Sequence, residues 1–182
     1  MTDIEKMMLW YQINNFYSRE SRALDEEDYE QWFSMLAEDI HYWMPSRETL
    51  FRKDEQEDDA RRMNLYNETF QTLQLRVARL QSGSAWSENP RTRYRHFVSN
   101  IEVEVGDGGA DKEKDKDKDK DGDIFVRSNT IVYRNRLERE EYWLIAKRED
   151  ILRKIDGSFK IAKRKISVDF SSLLSKNLNV FL

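Results

Sequence analysis

The sequence predicts an α+β fold in which N-terminal helices pack on one face of a curved, mostly antiparallel sheet. Apolar residues at helical spacing dominate the part before residue 82, and alternating patterns typical of strands dominate from residue 93 onward. Helices gathered before a run of antiparallel strands are typical of this class. A tightly curved sheet over helices would form a cone whose mouth could hold a ligand or be filled from inside. The 182 residues suffice for one domain, 1–182, with its own core.

The first two helices are predicted within residues 3–36. Thr2 and Glu5 have the spacing of a capping box, and the apolar stripe behind them is broad enough to predict a helix, residues 3–22, that is buried over much of its circumference. Asp25 is predicted to cap a short second helix. The apolar residues of that helix recur at helical spacing: Tyr29, Trp32, Phe33 and Leu36.

A short strand and a long loop follow the second helix. The strand is predicted from Ile40 to Met44, because Pro45 holds the residue before it in an extended conformation. Residues 46–66 are charged and irregular. A loop of this length is uncommon in a compact domain unless it covers a surface or binds a partner, although a plain mobile loop is the simpler interpretation.

A third helix and a long strand come next. Asn67 is predicted to cap the helix, and Ser82 with Gly83 to end it, because glycine adopts the left-handed conformation without a steric penalty. The buried side of this helix is predicted from Phe70, Leu73, Val77 and Leu80. The strand covers residues 93–105. Its apolar side is clearest at Ile101, Val103 and Val105.

Residues 106–123 interrupt the strands with nearly strict alternation of Asp and Lys, and they predict a solvated, mobile hairpin tip. Three strands close the chain, at 124–135, at 142–155 and after a turn at Asp156 and Gly157. The apolar residues of the last strand change phase, which predicts a bulge near residues 163–165. The ending NLNVFL is too apolar for a free tail.

Composition excludes several classes of function. The net charge is −4 with both signs mixed, so nothing favours nucleic acid or an anionic membrane as a partner. There is no long apolar run and no secretion signal, so a cytoplasmic protein is expected. The chain has no cysteine. This excludes disulfides, thiol nucleophiles and an iron–sulfur cluster held by this chain.

Two metal patterns are weak. One matches the start of an EF-hand loop: Asp117, Asp119, Asp121 and Gly122. Its twelfth position is Ser128 instead of Glu, and a solvated tip is the preferred interpretation. His41 and His96 with Asp39 could in principle form a set of two histidines and one carboxylate for iron. They have no short spacing, so structural or surface roles are preferred.

An acid–base pocket is a further possibility. Its members would come from a small set of residues: Asp39, His41, Tyr42 and His96. Tyr42 with Asp39 or His96 could abstract a proton beside a carbonyl, provided that the fold brings them within hydrogen-bond reach. The sequence does not fix that geometry, so no catalytic residue is assigned.

Arginines are concentrated around Trp86, at Arg76, Arg79, Arg91, Arg93 and Arg95. The acidic chain and the intervening Glu88 disfavour a phosphate-binding track. Arginine and tryptophan together are favoured at protein interfaces, so burial against a partner subunit is the preferred interpretation and intramolecular pairing is the alternative.

Several stretches resemble the small, or beta, subunit of bacterial aromatic-ring-hydroxylating dioxygenases. They are LRVARLQSGSAWSENPRTRYRHFVSNIEV, KREDILRK at 147–154, GSFKIAKRKISVD, NLNVFL and, near the N-terminus, FYSRESRALDEEDYEQWFSMLAEDIHYWMP. The resemblance covers nearly the whole chain except the Asp/Lys insertion. It implies a cone-shaped α+β fold shared with nuclear transport factor 2 and scytalone dehydratase.

The resemblance also implies a function as a structural, non-catalytic subunit. In that family a large alpha subunit, commonly in an α3β3 hexamer with contacts to other beta subunits, carries a Rieske [2Fe–2S] centre and a mononuclear iron. The complex adds both atoms of O2 to an aromatic ring to give a cis-dihydrodiol, with electrons from NADH. No catalytic, cofactor or metal residue is expected here. The expected interface residues are Arg76, Arg79, Trp86, Arg95, Leu178, Phe181 and Leu182. A stand-alone dehydratase or isomerase and a small-ligand-binding module remain alternatives.

Overall fold

The computed structural model describes residues 1–46, 63–82, 90–105, 122–138, 140–171 and 177–182. These ranges contain three helices and six strands and confirm the α+β class. In chain order the elements are α1 (Asp3–Glu26), α2 (Tyr29–Ser34), β1 (Leu36–Pro45), β2 (Asn64–Glu68), α3 (Phe70–Gln81), β3 (Arg93–Val105), β4 (Ile124–Arg136), β5 (Glu140–Ile155) and β6 (Ser158–Val168).

The strands form one mixed sheet in the order β2-β1-β6-β5-β4-β3. Strands β3 to β6 are an antiparallel meander, as predicted. Strand β1 joins this meander beside β6 in a parallel pairing, and β2 pairs antiparallel with β1 at the edge. The mostly antiparallel character is therefore confirmed, with one parallel pairing that local sequence patterns do not indicate.

Helix α1 begins as predicted but ends later. Thr2 accepts a hydrogen bond from the Glu5 amide, and the Glu5 carboxylate accepts one from the Thr2 amide, which is a complete capping box. The prediction that Asp25 caps the second helix is wrong. Asp25 lies in the last turn of α1, where its carboxylate binds His96, and Asp28 caps α2 by accepting from the Gln31 amide.

The prediction that α1 is buried over much of its circumference is also wrong. Its buried residues begin at Ile13 and continue with Phe16 and Tyr17. The sheet covers only one side of the helix. The apolar stripe is wide enough to reach a second side, and that second side remains uncovered. The uncovered apolar residues lie in the first turns: Ile4, Met7, Met8, Trp10 and Tyr11.

The third helix begins later than predicted, because strand β2 occupies the residues before it. Asn67 belongs to β2, opposite Trp43 of β1, and Thr69 is the residue that caps α3. Only Tyr66 among the five residues of β2 is buried. The strand therefore lacks the alternation of apolar and polar residues from which a strand is predicted. The helix ends at Gln81, close to the predicted position. Gly83 and most of the predicted loop 46–66, namely 47–62, lie outside the described residues.

Two bulges change which residues face inward. In β3 the pairing with β4 shifts between Ser99 and Glu102, and Asn100 adopts a φ of 53°. His96 faces inward before the shift, and Ile101 is on the partly buried side after it. In β6 the register changes where Ile161 and Ala162 are both buried, slightly before the predicted bulge at 163–165.

The core lies between the helices and the inner face of the sheet. It includes Val180, Phe181 and Leu182, which confirms that the apolar ending is not a free tail. The predicted turn at Asp156 and Gly157 joins β5 to β6, and both residues have positive φ. Residues 106–121 of the predicted hairpin tip lie outside the described ranges. No helix within those ranges combines the length and apolar character needed to cross a membrane.

Candidate functional site

A cluster of charged side chains lies in the core between α1 and the inner face of the sheet. Arg164 of β6 is at its centre and is fully buried. Its guanidinium donates to the two carboxylate oxygens of Glu20 at 2.6 and 3.0 Å, and to those of Asp150 at 2.9 and 2.8 Å. Charge-assisted hydrogen bonds of this bidentate kind are the strong ones in proteins. We call this group, with Arg148 and Tyr17, the buried ion cluster.

Neighbouring groups complete the cluster. The Tyr17 hydroxyl donates to Asp150 at 2.9 Å, and the Trp32 indole N–H donates to Glu20 at 3.3 Å. Arg148 lies with Nη2 3.6 Å from Glu20 Oε2, and its guanidinium carbon is 4.9 Å from the centre of the Tyr17 ring. Two carboxylates therefore face two guanidinium groups, so the cluster carries no net charge.

Charge pairing fixes the protonation state of this cluster. Burial alone would raise the pKa of Glu20, but the charges of Arg164 and Arg148 and the hydrogen bonds from Arg164 and Trp32 lower it to about 2. Burial and the charge of Asp150 raise the pKa of Tyr17 well above its ordinary value. Neither group exchanges a proton near neutral pH, so the cluster suits a structural role better than acid–base catalysis.

The closing residues 177–182 cover another part of the inner face. The Tyr42 hydroxyl donates to the Leu182 carbonyl oxygen at 2.9 Å and accepts from the Leu182 amide at 2.8 Å. The Tyr66 hydroxyl donates to the carbonyl oxygen of Leu178. The ring of Phe181 packs on Trp32, with 4.6 Å between ring centres. This segment fills space between the helices and the sheet.

The residues considered for acid–base chemistry do not form a common site. Asp39 accepts two hydrogen bonds at 2.9 Å from Arg153, and exposed His41 contacts Asn67 at 2.9 Å. His96 is buried, with Nδ1 2.7 Å from an Asp25 carboxylate oxygen and Nε2 2.8 Å from the Phe181 carbonyl oxygen. The Tyr42 hydroxyl donates its hydrogen bond to the Leu182 carbonyl oxygen, and burial raises the pKa of Tyr42.

The described residues test the two possible metal patterns only in part. Ser128, at the twelfth position of the EF-hand-like run, is buried in β4 and accepts from Arg148 Nε at 3.4 Å. Asp117, Asp119 and Asp121 lie outside the described ranges. Among the residues that are described, no three histidine or acidic side chains are grouped closely enough to hold a metal ion.

The surface arginines are mostly paired within the chain. Arg76 lies over the Tyr66 ring at 4.2 Å and donates to Glu68 at 2.6 Å. Arg91 pairs with Glu27 at 2.9 Å, and Arg95 pairs with Asp25 at 3.1 Å while most of its side chain stays exposed. Arg79 is exposed in the last turn of α3. Trp86 lies outside the described residues.

The remaining expected interface residues belong to the core. Phe181 and Leu182 are buried by their own chain, and Leu178 is partly buried against the same core. A groove of about 590 Å³ lies elsewhere, between α1, α2 and the β5–β6 turn. Its lining includes the aromatic rings of Phe16 and Phe159 and the cationic side chains of Arg19 and Lys154.

Sequence reasoning missed the buried ion cluster, although a signal for it exists. Asp150 lies in phase with buried Leu144 and Leu152 of β5, and Arg164 lies in phase with Ile166 of β6. Charged residues at inward positions of a strand require partners in the core. The partner on α1, Glu20, falls on the buried side of that helix.

Comparison with known proteins gives consistent matches. A family model described as "Ring hydroxylating beta subunit" matches residues 19–175. The beta subunit of biphenyl 2,3-dioxygenase from Rhodococcus jostii is 38% identical over 177 residues, which cover 95% of this chain and 88% of that protein.

Solved structures match over similar lengths. A chain of naphthalene 1,2-dioxygenase, solved with indole bound in the active site, has a TM-score of 0.80 at 27% identity, over 97% of this chain and 86% of that chain. A Nostoc punctiforme protein with a cystatin-like fold has a TM-score of 0.54 at 19% identity, over 93% of this chain and 94% of that chain. The second match shows a similarity of fold alone.

Proposed function

The chain belongs to the family of aromatic-ring-hydroxylating dioxygenase beta subunits, and we propose that it is the structural, non-catalytic subunit of a terminal oxygenase. In this role it supports an alpha subunit that carries a Rieske [2Fe–2S] centre and a mononuclear iron. The alpha subunit converts an aromatic hydrocarbon to a cis-dihydrodiol with electrons that come ultimately from NADH. Biphenyl and naphthalene, which the names of the similar proteins include, support an aromatic hydrocarbon as the substrate class.

The main support for a structural role is the filled inner face of the sheet. A pocket enzyme needs an acid or base that can reach a substrate in a cavity. Here the interior charges neutralise one another around Arg164, and residues 177–182 pack beside them. The interior therefore supports the fold, and the chemistry is proposed to take place in the partner.

The residues of this chain do not fit the family's metal groups. A Rieske centre requires two cysteine and two histidine ligands, and this chain has no cysteine. His41 and His96 have separate partners, the first on the surface and the second in the core. Both metal groups are therefore proposed to belong to the alpha subunit.

We propose an α3β3 assembly in the cytoplasm, with residues 1–182 as one domain. The bulges in β3 and β6 support a curved, cone-shaped sheet, because bulges increase local twist and bend strands. Exposed Arg79 and Arg95, half-buried Arg76, and Trp86 are proposed to contact partner subunits. Leu178, Phe181 and Leu182 would contribute indirectly, by holding the core beneath that surface.

Co-expression with an alpha subunit of the same dioxygenase tests the proposal. The two are expected to co-purify, and with NADH, a reductase and a ferredoxin they should convert biphenyl and O2 to a cis-dihydrodiol, while either subunit alone should not. Tyr42→Phe and His41→Ala in this chain test the acid–base alternative. Because the structural role gives neither residue a part in catalysis, the assembled complex should retain turnover with either variant. Failure to co-purify, or turnover by this chain alone, would contradict the proposal.

The alternative of a small-ligand-binding module would use the groove between α1, α2 and the β5–β6 turn, whose lining also includes the polar side chains of Gln12, Asn15, Gln31 and Ser34. Its volume of about 590 Å³ is within the range of small-molecule sites. A module of this kind would bind an apolar aromatic compound without the large subunit. Calorimetric titration of the isolated chain with biphenyl distinguishes the two functions, since the structural role predicts no saturable heat.

A further inference from the structure

The groove between α1, α2 and the β5–β6 turn carries positive charge without a counter-charge. Arg19 of α1 and Lys154 of β5 line it, and no acidic side chain is among the described residues of the lining. Both cationic side chains are exposed, and within the described part of the chain neither forms an ion pair. Asp156, in the adjacent turn, does not belong to the lining. The whole chain is acidic, with a net charge of −4, so an overall basic composition does not explain this local excess of positive charge.

Apolar side chains lie at the bottom of the groove. Phe16 is 2% exposed and Met35 is 7% exposed, so both are covered by the surrounding residues. The ring of Phe16 meets the ring of Phe159 edge to face, with 6.3 Å between the ring centres. Lys154 Nζ is 6.0 Å from the centre of the Phe159 ring, which places a cation beside these aromatic rings. A small molecule that has both an apolar ring and a negative charge would therefore meet complementary groups here.

Uncharged polar side chains form much of the remaining lining. Gln12, Asn15 and Arg19 occupy positions i, i+3 and i+7 of α1, so they follow one side of the helix. Gln31 of α2 also lines the groove. The N–H groups of these amides can donate hydrogen bonds to a carboxylate oxygen. The described lining thus offers an anion both cations and neutral donors, and it offers no carboxylate that would bind a cation.

The size and burial of the groove favour a small molecule over a segment of protein. Its volume of about 590 Å³ is typical of small-molecule sites. Protein interfaces depend on a few large side chains that are buried between the partners. Phe16 and Met35 are already covered by their own chain, so little apolar surface remains for such a contact. One aromatic ring on the partly exposed Phe159 needs much less apolar surface than a protein segment does.

We propose that this groove binds a small aromatic carboxylate. The carboxylate group lies between Arg19 and Lys154, because hydrogen bonds between ionised partners are the strong ones in proteins. The aromatic ring packs on Phe159. The site is additional to the structural role of the subunit and does not require the large subunit. It also differs from a site for neutral aromatic compounds, because the groove selects its ligand by negative charge.

Calorimetric titration of the full chain tests the inference with biphenyl-4-carboxylate and its carboxamide, which has nearly the same shape and no charge. The carboxylate is expected to give saturable heat at one molecule per chain, and the carboxamide to bind about tenfold more weakly or not at all. Raising the salt concentration from about 0.1 M to about 1 M should weaken binding of the carboxylate, since salt screens exposed charges. No saturable heat from the carboxylate, or equal binding of the carboxamide, would overturn the inference.

Two variants locate the site in the groove. Arg19→Gln and Lys154→Gln should each weaken binding of the carboxylate about fivefold, since each removes one cation and keeps a polar side chain. The matched control is Arg22→Gln, because Arg22 is exposed on α1 and does not line the groove. It should bind the carboxylate as the wild type does. The same affinity in all three variants would overturn the inference, because the anion would then bind elsewhere on the chain.

Co-purification with the alpha subunit separates this inference from the proposed function. Arg19→Gln and Lys154→Gln should co-purify as the wild type does. Loss of co-purification in both variants would show that the large subunit occupies the groove, and it would overturn the assignment to a small molecule. Failure of the wild-type chain to co-purify would count against the proposed function alone, because the heats are measured on the isolated chain.

Discussion

At the scale of single residues, the most informative feature is the buried charge that sequence patterns did not predict. Arg164 satisfies two carboxylates, and Tyr17 and Trp32 donate to the same carboxylates. Breaking a buried pair by removing one partner is strongly destabilising, because an uncompensated charge remains in the core. The cluster therefore makes the stability of this chain depend on pH and on each member.

Glu20→Gln is expected to lower the free energy of unfolding at pH 7 by about 3 kcal/mol, since Arg164 then faces one carboxylate. Glu20 also gives the wild type an acid-sensitive component. Its pKa in the folded state, about 2, lies below its ordinary value of 4.5. The stabilisation is therefore present above pH 4.5 and is lost as the pH falls towards 2. Urea unfolding across this range should show a shallower pH dependence for the variant.

The control for this prediction is Glu38→Gln, because Glu38 is an exposed acidic residue on β1. It should leave both the stability at pH 7 and the pH dependence close to those of the wild type. An unchanged pH dependence in Glu20→Gln would show that the Glu20 carboxylate is not the group that loses stabilisation in acid.

Arg134→Met is expected to raise the melting temperature of the isolated chain. Arg134 is buried. Its Nη2 atom makes one long hydrogen bond to Asn177 Oδ1, at 3.5 Å, and its guanidinium carbon lies 5.7 Å from the centre of the Tyr142 ring, but its Nε and Nη1 atoms have no hydrogen-bond partner among the described residues. Each unsatisfied buried donor costs about 1–3 kcal/mol, and Met fills a similar volume without donors. Calorimetry of Arg134→Met and of Arg148→Met compares the melting temperatures of the two variants. Arg148 faces Glu20, so its loss should lower the melting temperature.

At the scale of elements, the bulge in β3 determines which residues of this strand enter the core. Asn100 adopts a φ of 53°, which asparagine tolerates better than most residues. The shift moves the inward side from His96 and Val98 to Ile101 and Val103. Without the shift, the apolar end of the strand would face outward. Because of the bulge, both His96 and the apolar residues at the end of the strand face the core.

Asn100→Gly is expected to preserve or slightly raise stability, whereas Asn100→Val should lower it by about 1–3 kcal/mol because a β-branched residue is strained at positive φ. Melting temperatures of the two variants measure the difference. Asn129 of β4 offers a matched control, since it is exposed on a regular strand opposite Ser99. Asn129→Val should not be destabilising. Equal melting temperatures for Asn100→Gly and Asn100→Val would contradict the role of this bulge.

At the scale of the whole molecule, the interior supports the fold and the surface is proposed to support assembly. Phe181 packs on Trp32 and Tyr29, and its carbonyl oxygen contacts His96. Arg79 is exposed at the end of α3. Residues of these two kinds should therefore affect the dioxygenase complex through different measurable quantities.

Phe181→Ala is expected to lower the free energy of unfolding by about 3–5 kcal/mol, because it leaves a cavity in the core. Its effect on co-purification with the large subunit should follow from the loss of folded chain. Arg79→Ala should leave the melting temperature unchanged and reduce co-purification. The proposed interface role of Arg79 would be contradicted if this variant co-purified as the wild type does.

Local patterns in the sequence were sufficient for much of the fold. The capping box at Thr2 and Glu5, the meander from β3 to β6 and the turn at Asp156 and Gly157 depend on neighbours a few residues away, so they can be derived from spacing. Composition alone also excludes an iron–sulfur cluster held by this chain, because the chain has no cysteine to supply thiolate ligands. The resemblance of whole stretches indicated the dioxygenase beta-subunit family.

Contacts between distant residues decided the rest. Whether Asp25 caps a helix or binds His96 depends on a pairing 71 residues apart, and Glu20 meets Arg164 across 144 residues. The parallel pairing of β1 with β6 has the same origin. Local spacing cannot encode which distant group supplies a counter-charge or a strand partner. The sequence by itself determined the class, the main elements and the family, and the tertiary structure decided which charges pair in the interior and that the apolar first turns of α1 remain uncovered by this chain.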